Sequence, residues 1–304
     1  MRTIFGQLPA LADSSAPLLL EGETGTGKDL TAEAVHAASP RANKPFVVVD
    51  CGAVSATLIE AELFGHEKGA FTGAGAARAG LAEAANGGTL MLDEVGELAL
   101  ELQPKLLRLV ERREVRRVGS NVAIPVDLRI ISSTHRSLRD DVRAGRFRED
   151  LYYRLSTLRL RLPGLRDRPG DLAGLADRLF AQHGSARRFD QLSPSDRAVL
   201  QAHRWAGNVR ELRNVVERML TFPHAPVTTL LERDTPPSAA IATTDLSLKL
   251  ARDRALSQFE RDYLVHVLTL AGGSVTEAAK LAGVSRQLLQ RLLLRHKLRG
   301  HRHS

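Results

Sequence analysis

Apolar residues fall into two patterns along the chain. In the first half, short runs at 17–20 (PLLL), 46–49 (FVVV), 89–92 (TLML) and 128–132 (LRIIS) read as buried strands, with helical spacing between them, for example over residues 100–112. Buried strands alternating with helices predict a parallel sheet covered on both faces. After Pro163 the pattern turns purely helical. Leu172, Leu175, Ala176, Leu179 and Phe180 follow i, i+3, i+4, i+7, i+8 spacing. Ser193-Pro194 predicts a helix start, a capping hydroxyl followed by proline in the first turn. Asn208 with Glu211 predicts another in capping-box style, with a stripe of Val209, Leu212, Val215, Val216 and Met219. Residues 222–247 hold four prolines among many Ser, Thr and Ala and read as a linker. Residues 248–304 are helical again, with a stripe of Phe259, Tyr263, Leu264, Val267 and Leu268. Two shorter helices follow, divided at Ala282-Gly283-Val284-Ser285.

The 304 residues, 43% hydrophobic and 26% charged, suffice for about two domains with a full core and are too apolar for a disordered chain. No apolar run approaches the ~20 residues that span a bilayer, and the start lacks a basic segment followed by a long apolar stretch. The single cysteine, Cys51, excludes an internal disulfide and a Cys-rich zinc site. Together these predict a cytoplasmic protein with no membrane partner. The charge is uneven. Of the net +8, residues 248–304 carry 11 basic and 4 acidic residues, leaving the first 247 nearly neutral. Concentrated positive charge predicts a polyanion partner, most simply nucleic acid; a solvated basic face is the alternative.

Gly22, Glu23, Thr24, Gly25, Thr26, Gly27 and Lys28 match G-x-x-x-x-G-K between the first strand and a helix. The glycines let consecutive N–H groups wrap phosphate oxygens, the helix N-terminus adds favourable potential, and Lys28 would bridge the β- and γ-phosphates. The alternative is a glycine-rich turn with a chance lysine. Asp29 stands where many such loops put Ser or Thr, so magnesium would depend more on water and on a later acid. That acid is present: the strand at 90–92 ends in Asp93 and Glu94. Asp93 would hold Mg²⁺, directly or through water, and Glu94 would orient and polarise an attacking water. Alternatively, both acids merely end a strand in solvent.

Residues 62–74 (ELFGHEKGAFTGA) contain a Gly/Ala loop with one phenylalanine. An exposed aromatic there is costly unless something receives it, or else it tucks into its own core. With GAFTGA at 69–74, GETGTGK at 22–28 and LMLDE at 90–94, the chain resembles the AAA+ ATPase domain of bacterial enhancer-binding proteins, which activate transcription by RNA polymerase carrying sigma-54. The resemblance covers residues 1 to about 232, and the C-terminal segment is similar to the Fis-type helix-turn-helix. It implies an α/β fold: an AAA+ P-loop parallel-sheet core over 1–166, an α-helical lid over 167–232, a linker over 233–247 and an all-α Fis-type helix-turn-helix over 248–304. It implies that Gly69, Ala70, Phe71, Thr72, Gly73 and Ala74 form the sigma-54 contact and move with the nucleotide state, Phe71 and Thr72 being the contact residues. An acid after the P-loop lysine is the family habit, which accommodates Asp29.

FREDLYYRL at 147–155 is similar to the segment bearing the arginine fingers, Arg148 and Arg154. In the family these reach a neighbouring subunit's γ-phosphate, so the active site exists only in a ring, by analogy a hexamer. Their spacing would put them on different faces of one continuous helix. Without the resemblance, surface arginines paired with Glu149 and Asp150 would be the favoured reading. RWAGNVREL at 204–212 looks like the second sensor, with Arg210 facing the nucleotide. A cation in a helix's first turn opposes the dipole, and a simple ion pair is the alternative; Ala206 stands where the family usually has proline.

Two site positions depart from the family. Asp50 stands where the second strand usually carries asparagine, the residue that holds the catalytic glutamate in a nucleotide-dependent switch. Ionised aspartate only accepts hydrogen bonds, and near Glu94 it would be repulsive unless one acid is protonated or magnesium intervenes. The first sensor, usually Thr-Asn, is Thr134-His135; neutral histidine still donates from one nitrogen. These departures predict altered coupling between hydrolysis and loop motion, with ATP binding intact. Only 21 residues precede Gly22, with no receiver, PAS or other sensory domain. Part of the adenine pocket is therefore expected to be missing, in a chain that is a fragment or has a misplaced start.

Residues 275–282, a turn at Gly283 and residues 285–297 read as helix-turn-helix. Ser285 caps the second helix, and Leu288, Leu289, Leu292 and Leu293 supply its inner face. Arg286, Gln287, Gln290 and Arg291 remain for the DNA groove, and the expected DNA-binding set adds Ser285, Arg295 and Lys297; Arg suits guanine edges and phosphates, Gln suits adenine. An amphipathic hairpin used for oligomerisation is the alternative. The expected function is an ATP-driven transcriptional activator, with ATP and Mg²⁺ as cofactors and with upstream enhancer DNA, the sigma-54 RNA polymerase holoenzyme and a homo-oligomeric ring as partners. A rival, for which Asp50 and His135 are the grounds, is a DNA-binding regulator whose AAA+ domain binds ATP as an oligomerisation switch with impaired hydrolysis. The GAFTGA loop and basic tail argue against a remodeller of some other substrate.

Overall fold

The computed structural model describes residues 2–52, 55–71, 76–232, 260, 263–264, 267–268, 271 and 274–296. The expected linker at 233–247, together with Thr72, Gly73, Ala74, Phe259 and Lys297, lies outside the described residues. The chain divides into two compact units, Met1–Leu231 and Glu232–Ser304.

In the first unit α1 (Arg2–Asp13) leads to β1 (Leu18–Glu21), α2 (Lys28–Ala37), β2 (Phe46–Asp50) and α3 (Ala56–Phe64). A small antiparallel pair, β3 (Gly65–His66) and β4 (Arg78–Ala79), precedes the one-turn α4 (Leu81–Ala84) and β5 (Thr89–Asp93). Then come α5 (Gln103–Arg112), the hairpin of β6 (Glu114–Val115) and β7 (Ile124–Pro125), β8 (Arg129–Thr134), α6 (Leu138–Arg143), α7 (Glu149–Leu155) and β9 (Leu158–Arg161). Five strands form one parallel sheet in the order β2-β5-β8-β1-β9.

Alternation along each strand divides the sheet's side chains between two cores. Leu19, Leu90, Leu92 and Ile130 pack with residues of α3, α5 and α7. Leu18, Leu20, Met91 and Ile131 pack with residues of α2 and, at its margin, α1. The expected sheet, covered on both faces, is present. A charged residue inside β8 has a structural reason: the buried Arg129 guanidinium donates to the carbonyls of Ala12 (2.8 Å) and Leu11. These are carbonyls that the end of α1 leaves without helical partners. Cys51, just after β2, is buried, and burial pushes its thiol up to about 12.

Three local differences from the sequence pattern have physical causes. Strand β9 was not among the predicted strands: only Leu158 and Leu160 face the core, while Arg159 and Arg161 are exposed, as an edge strand allows. The helix expected over 100–112 begins at Gln103, with Pro104 in its first turn and Leu100 exposed. Asn208 does not cap the following helix in capping-box style. It has φ +54 and is fully buried, and its side chain turns to the glycine loop; Gly207 is the N-cap instead, and its N–H donates to Glu211 (2.9 Å).

The helical part of this unit comprises α8 (Leu172–Gln182), α9 (Pro194–Ala202), α10 (Asn208–Thr221) and α11 (Val227–Glu232). Its own core joins Phe180, Trp205, Leu212, Val215, Val216 and Met219 with other apolar residues of these helices. Ser193 caps α9 by accepting from Asp196 N–H.

The second unit contains α12 (Val275–Leu281) and α13 (Arg286–Arg295) around a turn where Gly283 has φ +66. Leu264, Val267, Ala278, Ala279, Leu289 and Leu293 form its core. Leu292 packs at the edge of this core, but Leu288 is exposed, which corrects its assignment to the inner face.

Leu92 is fully buried at the centre of the sheet, so Leu92→Ala leaves a cavity between β5 and the helices on that face. The expected loss is about 2–5 kcal/mol, read from chemical denaturation of the first unit.

Candidate nucleotide site and the surfaces around it

Residues 22–28 run from the end of β1 into α2. Gly25 (φ +78) and Gly27 (φ +99) hold left-handed conformations that side chains resist. The loop is tight: a Cβ at Gly22 would meet the Leu162 carbonyl at 2.8 Å. Thr26 Oγ1 donates to the Glu23 carbonyl at 2.7 Å. Lys28 is only 6% exposed, and its Nζ donates to the Gly22 carbonyl at 3.0 Å and lies 3.3 Å from Glu94 Oε1.

Parallel pairing brings the ends of β5 and β8 beside this loop. Asp93 Oδ1 accepts from Glu94 N–H at 3.0 Å and from the Ser133 hydroxyl. Glu94, with φ +50, is in strained backbone of the kind that collects at functional sites. Its Oε2 accepts from His135 N–H (2.9 Å) and lies 2.7 Å from His135 Nδ1. Burial alone would raise the Glu94 carboxyl, but the His135 bonds and the Lys28 charge outweigh it and hold the group below its ordinary value. Of the expected first sensor pair, only His135 reaches Glu94. Thr134 is buried and its Oγ1 accepts from Arg136 N–H at 3.0 Å.

Asp50 ends β2 opposite Asp93 in the sheet register, and its Oδ1 accepts from Gly52 N–H at 2.9 Å. Asp29 lies on the rim of the site, and burial first, then Asp93, raises its carboxyl above the ordinary value against the pull of Lys28 and Arg210.

The helical part closes over the loop through contacts that the sequence pattern did not disclose. Val209 N–H donates to the Gly25 carbonyl at 2.9 Å. Asn208 Nδ2 donates to the Thr24 carbonyl (3.0 Å) and Glu23 (3.2 Å), while its Oδ1 accepts from Leu165 N–H (2.7 Å). Arg166 forks onto Glu23, and Arg168 donates to the Thr26 carbonyl at 3.0 Å. Arg166 and then Asn208 hold the Glu23 carboxyl down at about 2. The only advance signal was a run of arginines around Pro169, which has no chemical pattern of its own. Between the loop and α10 lies a cavity of about 260 Å³, lined by Gly27, Lys28, Asp29, Asp93, Glu94 and Arg210 among others. Arg210 therefore stands at the site, in the first turn of α10.

The other expected site residues lie elsewhere. Arg148 precedes α7 rather than lying in it, which corrects the single continuous helix expected for the pair. It forks onto Asp150 (3.1 and 2.7 Å). Arg154 donates to Glu111 at 2.6 Å. Gly69 has φ +82, and a Cβ at Gly119 would come within 3.0 Å of the Ala70 methyl. Phe71 is partly exposed, with its ring edge-on to His66 at 5.0 Å. In the second unit Ser285 Oγ accepts from Leu288 N–H at 3.2 Å, and Arg286, Gln287, Gln290 and Arg291 are exposed. Arg295 lies 3.6 Å from Glu260.

A Cβ at Gly25 would meet the Gly207 carbonyl at 2.4 Å. Gly25→Ala is expected to force the helical part off the loop, costing about 1–3 kcal/mol of stability and weakening nucleotide affinity, as read by thermal melting and nucleotide titration.

Comparison with known families and proteins agrees with this geometry. Residues 1–161 match the sigma-54 interaction domain, residues 166–244 the AAA+ ATPase lid domain, and residues 255–295 the Fis family of bacterial regulatory proteins. The chain is 42% identical over 292 residues to the transcriptional regulatory protein ZraR of Escherichia coli K12, covering 95% of this chain and 65% of that protein. It is also 42% identical over 300 residues to GlrR of the same organism, covering 98% and 66%. The chain thus spans about two thirds of the length of these relatives. The structure of NtrX from Brucella abortus in complex with ATP superposes with a TM-score of 0.69 at 35% identity, covering 98% of this chain and 68% of that one. The chain belongs to the sigma-54 interaction domain family, with an AAA+ lid and a Fis-family helix-turn-helix following the P-loop sheet.

Proposed function

We propose that the chain is an ATP-hydrolysing transcriptional activator. It binds upstream DNA through its C-terminal unit, assembles into a hexameric ring, and drives the loop at residues 69–74 against sigma-54 to remodel the closed RNA polymerase complex. The observation that carries this reading is the convergence of Lys28, Asp93, Glu94 and His135 at a glycine loop bonded to α10. That a relative, NtrX, is solved in complex with ATP supports the choice of ligand.

In this reading the N–H groups of residues 22–28 and the Lys28 ammonium hold the phosphates. Phosphate oxygens replace Glu94 and the Gly22 carbonyl as partners of Lys28, leaving Glu94 oriented by His135. Glu94 then positions a water for attack on the γ-phosphorus and accepts its proton as the bond to ADP breaks. One Asp93 oxygen is committed to Ser133 and Glu94 N–H, which leaves the other for Mg²⁺. Among the described residues no cluster of three or more His, Cys, Asp or Glu makes a metal cage. One or two carboxylates, here Asp93 and Asp29, completed by phosphate oxygens and water suit Mg²⁺; bound there, it neutralises phosphate charge.

Arg148 and Arg154 exchange Asp150 and Glu111 for a neighbour's γ-phosphate, and Arg210 senses the chain's own nucleotide. Arg286, Gln287, Gln290 and Arg291 face the DNA groove, with Arg295 beside them. In this reading the core covers 1–166, the lid 167–232, a linker 233–247 and the DNA-binding unit 248–304. Among the described residues no helix is long and apolar enough to cross a membrane.

ATP turnover per chain is expected to rise with protein concentration as neighbours complete each site, and Arg154→Ala is expected to lower it about a thousandfold. Turnover independent of concentration, or untouched by Arg154→Ala, overturns the shared site; ATP binding without turnover marks an oligomerisation switch instead. Asp50→Asn is expected to leave ATP affinity intact and to change the number of ATP molecules hydrolysed per promoter opened. Unchanged turnover and activation would count against a coupling role for Asp50.

A further inference from the structure

Tyr152 lies in α7, between the two arginines assigned above to a neighbour's site, and is only 5% exposed. Its hydroxyl oxygen accepts from Arg139 Nε of α6 at 2.8 Å and from Arg159 Nη1 of edge strand β9 at 3.0 Å. Two solvent-exposed guanidiniums therefore converge on one neutral oxygen. Like charges this close repel, and a phenol cancels neither of them.

Several carboxylates of the neighbouring elements pair with other arginines. Asp141 holds Arg146 at 2.5 Å and Arg136 at 3.4 Å, Glu97 holds Arg136 at 3.0 Å, and Asp140 holds Arg143 at 3.2 Å. Glu21, at the end of β1, is felt by Arg139 only through its field. Among the described residues neither Arg139 nor Arg159 forms an ion pair. The excess positive potential registers on the phenol itself. Burial would push the phenol's pKa up, but the bonds and charges of the two guanidiniums outweigh burial and hold it below the ordinary phenol range.

Each guanidinium spends one donor on Tyr152 and keeps the rest of its fork. Such forks match two oxygens of a phosphate or carboxylate. The Tyr152 hydroxyl, fixed by burial, can turn its own proton toward the same point. Two positive charges and three converging donors suit a doubly charged tetrahedral anion better than a single carboxylate. We propose that Arg139, Arg159 and Tyr152 form a second anion site, separate from the glycine loop, that takes a phosphate-class oxyanion. An occupant joins α6, α7 and β9, so it stabilises the native state and raises the melting temperature.

The test compares the full chain with R139Q/R159Q, each titrated calorimetrically with inorganic phosphate and with acetate at constant ionic strength. Phosphate held by the glycine loop is common to both proteins and drops out of the difference. The wild-type chain is expected to bind one phosphate more than R139Q/R159Q, with acetate weaker at that site. Tyr152→Phe, which removes only the hydroxyl, is expected to weaken this phosphate about fivefold. Equal phosphate stoichiometry in the two proteins overturns the site, and acetate binding as tightly as phosphate overturns the ligand class. Should R139Q/R159Q fail to fold, the single exposed change R159Q carries the same comparison.

Discussion

A nearly buried ammonium organises the site of the first unit. Lys28 has little access to water, and the carbonyls of its own loop and the Glu94 carboxylate surround its ammonium group. This arrangement requires the end of β1 and the end of β5 to lie on the same side of the sheet, with β8 between them. Parallel pairing meets that requirement, and it also brings Ser133 and His135 from the end of β8 against Asp93 and Glu94. The site is thus a property of the sheet order as much as of the residues that line it.

The second constraint is the seam between the glycine loop and the helical part. Gly25, Thr24 and Thr26 have carbonyls bonded by Val209, Asn208 and Arg168, and Glu23 is clamped by Arg166. Few of these bonds could survive a rotation of α10 away from the loop. The cavity is lined from both sides of the seam, by Gly25, Gly27 and Lys28 on one and by Val209, Arg210 and Arg213 on the other. The absence of a Cβ at Gly25 lets the two backbones meet.

The arginines at the two ends of α7 stand in a different energetic position. Arg148 and Arg154 are exposed, and the side chains of their partners Asp150 and Glu111 are 44% and 34% exposed. Exposed ion pairs contribute little to stability, so exchanging these partners for another anion costs the fold little. The same reasoning separates them from Arg129 and Arg168. These are buried and bonded to carbonyls, and removing them would leave those carbonyls unsatisfied.

Local chemistry made much of this legible in advance. Four strands, the helical stripes of α8 and α10, the serine caps of α9 and α13, the glycine loop and the acids ending β5 are short-range patterns, each set by neighbours a few residues apart. What stayed hidden depends on residues distant in sequence. The edge strand β9 buries one face only and so lacks the apolar run of its neighbours. Asn208 looked like a helix cap because its type suits one, yet a glycine loop 184 residues earlier claims its side chain. Leu288 fits the helical stripe but finds no surface to bury against. Thr134 and Asp50 hold positions defined by sequence, and folding gives their side chains the backbone N–H groups of Arg136 and Gly52. The sequence by itself determined which elements form and which residues can bind phosphate, because those follow from local periodicity and side-chain type. Only the tertiary structure decided which polar groups meet, because a hydrogen bond needs its partner within about 3 Å, and that distance is set by how separate elements pack.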